Sequence, residues 1–349
     1  MSADNLRYNE EMDDVLKKVS PGTAIRNALD DLLMARMGAL IVIEKEGLSK
    51  IVSGGFKIDS KFSAQKLLEL AKMDGAIILS EDFKRIISVN NLITPDVSIP
   101  VKETGTRHQA AERTAKQFGS ITIAVSERKN KISVYYKDEK QELELTSEVL
   151  RRATETLQIL EKQKDIFDEQ IVNFNILEIN NLVSISDVCN ILKRIEIIKR
   201  IADSVRKYLI ELGKEGVIVS MRLKELTRNM NTDREMILID YFRNDYHIAD
   251  ESLRNMNFDF LIETSNISRI LFGEESDKKI IAGGTRILGK TDLLEKDITS
   301  LSEYFGSLDK IFNANKEDFF EIFKNQNFVD SLFENIRALR EKIVSGKRL

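Results

Sequence analysis

The chain has 349 residues, of which 42% are hydrophobic and 32% charged, with three prolines and no tryptophan. That length allows two or three compact units, each burying a core without disulfides or metals, and the composition excludes a mainly disordered chain and points to a helix-rich one. A formal net charge of −4 excludes a polyanion-binding surface spread over the whole molecule, so any nucleic-acid contact has to come from a local patch.

The single cysteine, Cys189, has no internal partner and no CxxC context, which implies a packing role and a reduced, cytoplasmic setting. No apolar run approaches the roughly 20 residues of a membrane span, and the opening MSADNLRYNEEMDD lacks the basic-then-apolar layout of a signal peptide. The expectation is therefore a protein without a membrane partner.

Residues 20–145 alternate helical and extended patterns. The spacing predicts a helix over 23–36, a short buried strand over 39–43, and a helix over 61–72 with Leu67, Leu68 and Ala71 on one side. Extended segments follow at 76–79 and 86–89, then a helix over 106–118 ended by Gly119 and a strand over 121–125. A turn at Arg128-Lys129-Asn130 leads to 132–136 and completes a hairpin. The first region, 1–146, is thus expected to be an α/β domain with a mixed sheet flanked by helices.

From Ser147 the pattern becomes helical, with Leu150, Ala153, Leu157, Leu160, Phe167, Ile171 and Phe174 at three-four spacing and only Lys164 interrupting the stripe. Ser186-Asp187 is placed to cap a second helix running to Leu212-Gly213, and Thr232-Asp233-Arg234-Glu235 matches a capping box before a helix over 236–242. A further amphipathic stretch over 253–272 stops at Gly273, so residues 147–285 are expected to form an all-α linker bundle. The tail, 286–349, carries helical patterns over 292–305, 307–314 and 316–343, the last weakly interrupted. Within it Tyr304-Phe305-Gly306-Ser307-Leu308 reads as one helix end followed by the next cap.

Most sequence signatures of catalysis are absent: GxGxxG, HExxH and GxSxG do not occur, and two histidines exclude a His-rich metal site. His247, after a helix, reads as a surface histidine. His108 lies in Gly105-Thr106-Arg107-His108, just before Ala111. With Thr106 as N-cap, Arg107, His108 and the first free N–H groups of the helix would converge where an anion is favoured. On the residues alone this helix start is either a phosphate cradle or a solvated cap. Asp74-Gly75-Ala76 is equally open, since the glycine either permits a bend before a buried strand or lets a nucleotide approach the backbone, and Asp74 by itself can be a turn aspartate.

Taken together, Leu70-Ala71-Lys72-Met73-Asp74-Gly75-Ala76-Ile77-Ile78-Leu79-Ser80 and Glu103-Thr104-Gly105-Thr106-Arg107-His108, followed by Ala111-Glu112-Arg113-Thr114-Ala115-Lys116-Gln117, resemble the DGA and RHR motifs of the diadenylate cyclase domain. Pro95-Asp96-Val97-Ser98-Ile99-Pro100 and Ser126-Glu127-Arg128-Lys129-Asn130 fit the same family. The resemblance covers about residues 15–145. A helical linker followed by a small helical tail further resembles the DisA family of DNA integrity scanning proteins.

That resemblance implies condensation of two ATP molecules into cyclic di-AMP with release of two pyrophosphates, using Mg²⁺ or Mn²⁺. It implies half-sites facing each other across a subunit interface, hence a homo-oligomer, an octamer with face-to-face cyclase domains. By residue-by-residue transfer Asp74, Arg107 and His108 are catalytic, with Asp74 and His108 as metal ligands. Gly75, Ala76 and Ile93 would meet the nucleoside, Thr106, Arg107, His108, Gln109 and Ala110 the phosphates, and Ser126 and Arg128 the triphosphate tail. Three positions depart from the pattern. Gln109 stands where the family has arginine and cannot supply its charge or bidentate fork, Ala110 lacks a usual hydroxyl, and Lys129 replaces a second arginine. A lost charge-assisted contact is worth about 1.5–3 kcal/mol, which implies reduced turnover, or an impaired nucleotide- or DNA-binding scaffold.

The family's tail implies a helix-hairpin-helix domain that binds branched or damaged DNA. Here the hairpin position is Phe323-Lys324-Asn325-Gln326-Asn327-Phe328, without glycine, where Asn can supply a left-handed residue. Residues 291–349 carry 9 Lys and Arg against 11 Asp and Glu, and only 337–349 is positive, with five basic residues against Glu341. DNA binding through this tail is expected to be weak and salt-sensitive, with a protein partner as the alternative.

Overall fold

In a computed structural model the backbone is described for residues 3–273, 277–291, 293–347 and 349, and side chains from residue 11 onward within those ranges. The chain divides into two compact units, one of residues 1–155 and 205–221, the other of 156–204 and 222–349.

The first unit is built on a seven-stranded sheet. Its helices are α1 (Ala3–Lys18), α2 (Ala24–Met34), α3 (Ala64–Leu70) and α4 (Thr106–Phe118). The strands are β1 (Ala39–Ile43), β2 (Val52–Lys61), β3 (Ala76–Leu79), β4 (Arg85–Ile93), β5 (Thr122–Ser126), β6 (Lys131–Tyr136) and β7 (Glu139–Leu143), in the order β2-β4-β3-β1-β5-β6-β7. Only β1 and β3 run parallel; every other neighbouring pair is antiparallel, so the sheet is mixed as expected.

Successive residues of a strand face opposite sides, and the two cores follow that alternation. Ile41, Ile43, Ile77, Leu79, Ile123 and Val125 face a layer containing Leu29 and Leu32 of α2 and Leu67 of α3. Leu40, Val42, Ala76, Ile78, Ala124 and Tyr135 face Ala111 and Ala115 of α4. Thr23 caps α2 by accepting from the Arg26 N–H at 3.2 Å, and Gly119 ends α4 at φ 60°, a left-handed value that glycine adopts without penalty.

Four local expectations are corrected. The helix expected from residue 61 begins at Ala64, because Lys61 closes β2 and Ser63 takes the cap by accepting from the Lys66 N–H. The second linker helix is capped by Ser184 rather than Ser186: the Ser184 hydroxyl accepts from the Asp187 N–H while the Asp187 carboxylate accepts from the Ser184 N–H. Thr232 to Glu235 start no helix, since they lie inside one that begins at Met230. The stretch 253–272 is three segments rather than one.

Beyond the sheet come α5 (Thr146–Ile179), α6 (Ile185–Leu212), α7 (Val217–Leu226), α8 (Met230–Phe242), α9 (Tyr246–Asn255), α10 (Phe258–Ile262), α11 (Thr264–Leu271) and α12 (Thr285–Leu288). The apolar stripe of α5 is buried from Ala153 to Phe174, but Leu150 is exposed and Val149 turns inward in its place; Lys164 within the stripe lays its ammonium 4.9 Å from the Phe167 ring centre while pairing with Asp168. Cys189 is buried and burial pushes its thiol up to about 12, so it packs as an inert apolar side chain.

A buried polar network ties α12 to α5 and α8. Asp240 accepts from the Thr285 and Arg286 N–H groups at 2.6 and 3.0 Å, Arg286 pairs with Glu178 and donates to Asn175 at 2.7 Å, and Tyr241 donates to Glu178 at 2.8 Å. Burial and the neighbouring Glu178 charge push Asp240 up to about 6.

The last helices are α13 (Glu295–Phe305), α14 (Leu308–Asn313), α15 (Lys316–Phe323) and α16 (Gln326–Val344). The pattern predicted from residue 292 begins outside the described residues, and its described part is α13. Gly306 at φ 73° ends α13 and Ser307 occupies the next cap position, as the sequence implies. Between α15 and α16 the left-handed residue is Lys324, at φ 49°, and not Asn325, whose side chain instead accepts from the Phe328 N–H and caps α16.

Candidate active site

Strand register gathers the singled-out residues at one end of the sheet. Ala76 opens β3 opposite Leu40 of β1 and Asn91 of β4, and Leu40 in turn lies opposite Ala124 of β5. The start of β3, the end of β4 with Ile93, the start of β1 and the end of β5 with Ser126 therefore share an edge. Arg107 brings the first turn of α4 to that edge, because its guanidinium lies against Gly38, immediately before β1, where a Cβ would overlap it.

Asp74 and Gly75 form an exposed turn ahead of β3. Gly75 has φ 95°, and a Cβ there would come within 2.9 Å of the Asn90 and Asn91 backbones, so conformation and close approach both demand glycine. Asn91, 3% exposed, fastens this turn by donating to the Ala76 carbonyl and to Ser88 Oγ, each at 3.0 Å. The Asp74 carboxylate is exposed and makes no hydrogen bond or ion pair among the described residues. Ala76 and Ile93 are buried on the face covered by α4.

At the helix start the cap position belongs to Gly105, in extended conformation, rather than to Thr106, which is the first helical residue. No side chain caps this end, and the Gln109 N–H already donates to the Gly105 carbonyl at 2.8 Å. The N–H groups of Thr106, Arg107 and His108 have no partner within the helix and point outward with the positive end of its dipole. His108 is half-buried with Nδ1 3.4 Å from the Tyr135 hydroxyl. Burial pushes the imidazole below its ordinary value, aided by Lys140, Lys129 and Arg107 and opposed by Glu103, so it is neutral at pH 7. Burial, then the Glu103 charge, pushes Tyr135 well above the usual phenol. Burial also pushes the Glu103 carboxyl up, but its 2.7 Å pair with Lys140, with help from Tyr135 and His108, leaves it below the ordinary carboxylate value.

The loop entering α4 is fastened back onto the helix. The buried Glu112 carboxylate accepts from the Lys102 and Glu103 N–H groups at 3.0 and 3.2 Å, Arg113 donates to the Ile99 carbonyl at 3.2 Å and Lys116 to the Pro100 carbonyl at 2.8 Å. Gln109 is part of this fastening, its amide donating to the Glu103 carbonyl at 2.9 Å, and Ala110 packs against the α4-side core. At the end of β5 the Ser126 hydroxyl accepts from the Lys129 N–H at 3.2 Å, Asn130 turns the hairpin at φ 49°, and Arg128 is exposed.

Asn91, Glu112, Tyr135 and Gly38 thus support the site without having been singled out as site residues. A cavity of about 750 Å³ in the same unit shares Ser88 and Asn91 with the support of this turn; its walls also include Leu48, Gly55 and Ile78 and none of the residues expected to bind nucleotide. The convergence of free N–H groups, Arg107 and Asp74 is the better indicator of an anion site, because chemistry rather than volume selects a phosphate.

Comparison with known proteins shows the family. A family model described as DisA bacterial checkpoint controller nucleotide-binding matches residues 26–140, and one described as the DisA bacterial checkpoint controller linker region matches 143–279. A DNA integrity scanning protein DisA from Clostridioides difficile is 41% identical over 91% of this chain and 92% of its own length. The chain belongs to the DisA family. A second DisA, from Acetivibrio thermocellus, is 40% identical over 98% of each chain. A solved double mutant of DacA from Staphylococcus aureus is 27% identical over 38% of this chain and 88% of that one, with a TM-score of 0.30. As a DisA family member the chain carries a nucleotide-binding domain, and it is this domain that contains the edge described above. No helix among the described residues is long and apolar enough to cross a membrane.

Proposed function

We propose that this protein is a diadenylate cyclase that condenses two ATP molecules into cyclic di-AMP and two pyrophosphates. The observation that carries the reading is the shared edge, where the exposed Asp74-Gly75 turn leads into β3 and Arg107, from the uncapped start of α4, packs against Gly38 ahead of the neighbouring β1. Gly75, Ala76 and Ile93 receive the nucleoside. The Thr106, Arg107 and His108 N–H groups and the Arg107 guanidinium hold phosphate oxygens, and Ser126 and Arg128 reach the triphosphate tail. Asp74 orients the 3′-hydroxyl and takes up its proton as that oxygen attacks the α-phosphorus of the second ATP. The bond to the β-phosphate breaks and pyrophosphate leaves with its charge neutralised by Arg107 and Arg128.

A divalent ion fits this donor set as a companion of the substrate. Among the described residues no three His, Cys, Asp or Glu converge on one point, so Asp74 and His108 would hold Mg²⁺ or Mn²⁺ with substrate phosphates completing the shell. Such an ion supplies Lewis acidity at the phosphates. Neutral His108 suits this role, and its Nδ1 contact with Tyr135 leaves Nε2 for the ligand.

One nucleotide edge per chain supplies half of a two-nucleotide reaction, which favours a homo-oligomer with cyclase domains face to face, an octamer by the family pattern. We assign residues 1–146 to the cyclase domain, 147–285 to the linker and 286–349 to a helix-hairpin-helix-like domain. The short α15–α16 turn supports a weak, salt-sensitive contact with branched or damaged DNA. The single cysteine, without CxxC context, favours the cytoplasm. A second reading, an impaired scaffold that binds nucleotide or DNA, is favoured by Gln109, whose amide is spent on the Glu103 carbonyl. Incubation of the pure chain with ATP and Mn²⁺ separates the two: cyclic di-AMP above an Asp74→Asn control supports the cyclase, and its absence leaves the scaffold.

A further inference from the structure

The second unit holds a cationic cavity that the cyclase reading does not use. It has a volume of about 360 Å³ and is walled by Lys199 of α6, Arg234 of α8 and Arg254 of α9, with Tyr246 and His247 at its side. Arg234 is 4% exposed. Its Nη1 lies 2.7 Å from Asp250; its Nη2 is paired at 3.2 Å with Glu196 Oε2 but neither atom makes a hydrogen bond, and its Nε is buried without a hydrogen-bond acceptor. Buried donors normally find an acceptor, and leaving them without one is costly.

Lys199 makes the imbalance sharper. Its ammonium forms no hydrogen bond or ion pair among the described residues, and burial followed by the Arg234 charge pushes it below its ordinary value. Four cations, Lys199, Arg200, Arg234 and Arg254, share the carboxylates of Glu196 and Asp250, which already pair with the three arginines. Glu235 stands exposed at the rim. The Tyr246 and His247 ring centres lie 3.8 Å apart with their planes tilted by 35°.

We propose that this cavity binds a small phosphate-bearing anion, with Lys199 and the Arg234 Nε and Nη2 donors as its buried contacts and Arg254 at its mouth. A multi-oxygen anion supplies the missing acceptors and partners Lys199, and the volume suits pyrophosphate or a nucleoside monophosphate rather than a single ion. Every residue invoked belongs to the second unit, so the proposal does not depend on the cyclase reading.

The test is calorimetric titration of the full chain carrying Arg107→Ala, which removes the guanidinium and so weakens the anion contact at the α4 start. Inorganic phosphate, pyrophosphate and AMP serve as probes, with chloride of equal ionic strength as control. Saturable binding of at least one probe is expected, with affinity lowered about tenfold or more by Lys199→Met and restored by Lys199→Arg. In chloride alone Lys199→Met should unfold at an equal or higher temperature than its parent, because it removes a half-buried, unpartnered charge. No binding of any probe, equal binding after Lys199→Met, or a lower unfolding temperature for that variant in chloride would each overturn the assignment.

Discussion

Glu112→Ala is the most informative single change at the nucleotide edge. Glu112 is 7% exposed, and its carboxylate takes the Lys102 and Glu103 N–H groups at 3.0 and 3.2 Å and the Lys116 ammonium at 2.8 Å. Hydrogen bonds to a charged group are worth about 1.5–3 kcal/mol each, but Lys116 keeps the Pro100 carbonyl and water can reach the exposed Lys102, so the net cost is about 2–4 kcal/mol. That cost falls on residues 101–105, which set the start of α4. If most of it appears as displacement of the helix start from the reacting phosphates, the rate drops about ten- to a hundredfold. Glu112→Gln keeps one acceptor and the side-chain shape and should fall between. The assay is the initial rate of cyclic di-AMP formation across ATP concentrations, alongside thermal unfolding of each variant. A folded Glu112→Ala protein with wild-type rate would refute the view that this tether holds the helix start.

Gly75→Ala forces a left-handed φ on a side chain whose Cβ meets backbone at 2.9 Å; activity should fall at least about tenfold, and stability by about 1–3 kcal/mol in chemical unfolding. Gln109→Arg restores the family's charge and should raise turnover about tenfold, read as kcat; an unchanged kcat would show that this position does not meet phosphate here. Arg286→Met leaves Glu178 buried without its counter-charge and should cost about 3–5 kcal/mol in urea unfolding. Asp240, raised from 3.8 to about 6, holds its proton more tightly folded than unfolded. Its contribution to stability is therefore complete below about pH 4 and lost as pH rises through about 6. Asp240→Asn should flatten the unfolding midpoint over that window, whereas parallel curves would contradict the assignment.

The fold was legible wherever burial imposed a pattern. β1, β3 and α4 keep the boundaries read from the sequence, since two are continuous apolar runs and the third ends at Gly119. β2 and β7 were not foreseen, because each is an edge strand: β2 is mostly exposed and interrupted by Gly54 and Gly55, and β7 is polar, so neither shows the alternation of a half-buried strand. Thr232 to Glu235 matched a capping box in composition, but a helix already running from Met230 overrode it.

At the site the motif residues could be named, but not the residues that hold them. Asn91 reaches back to Ala76, Tyr135 reaches His108, and Gly38 admits Arg107, all across strands brought together only by the sheet. The Glu112 tether was closer to legible, lying inside the quoted motif, yet its partners are backbone N–H groups and backbone leaves no mark in a sequence. In the sequence Gln109 shows only the loss of an arginine. Its bond to the Glu103 carbonyl gives it a positive role in shaping the loop.

The central claim is that the Asp74-Gly75 turn and the Thr106–His108 helix start form a working cyclase half-site. Chromatographic and mass-spectrometric detection of cyclic di-AMP, after incubating folded wild-type chain and folded Asp74→Asn with ATP and Mn²⁺, tests it most directly. The account predicts product and pyrophosphate accumulating together, two pyrophosphates for each cyclic di-AMP, with loss of both in the variant. Wild-type protein that binds ATP but yields no product above Asp74→Asn would contradict it.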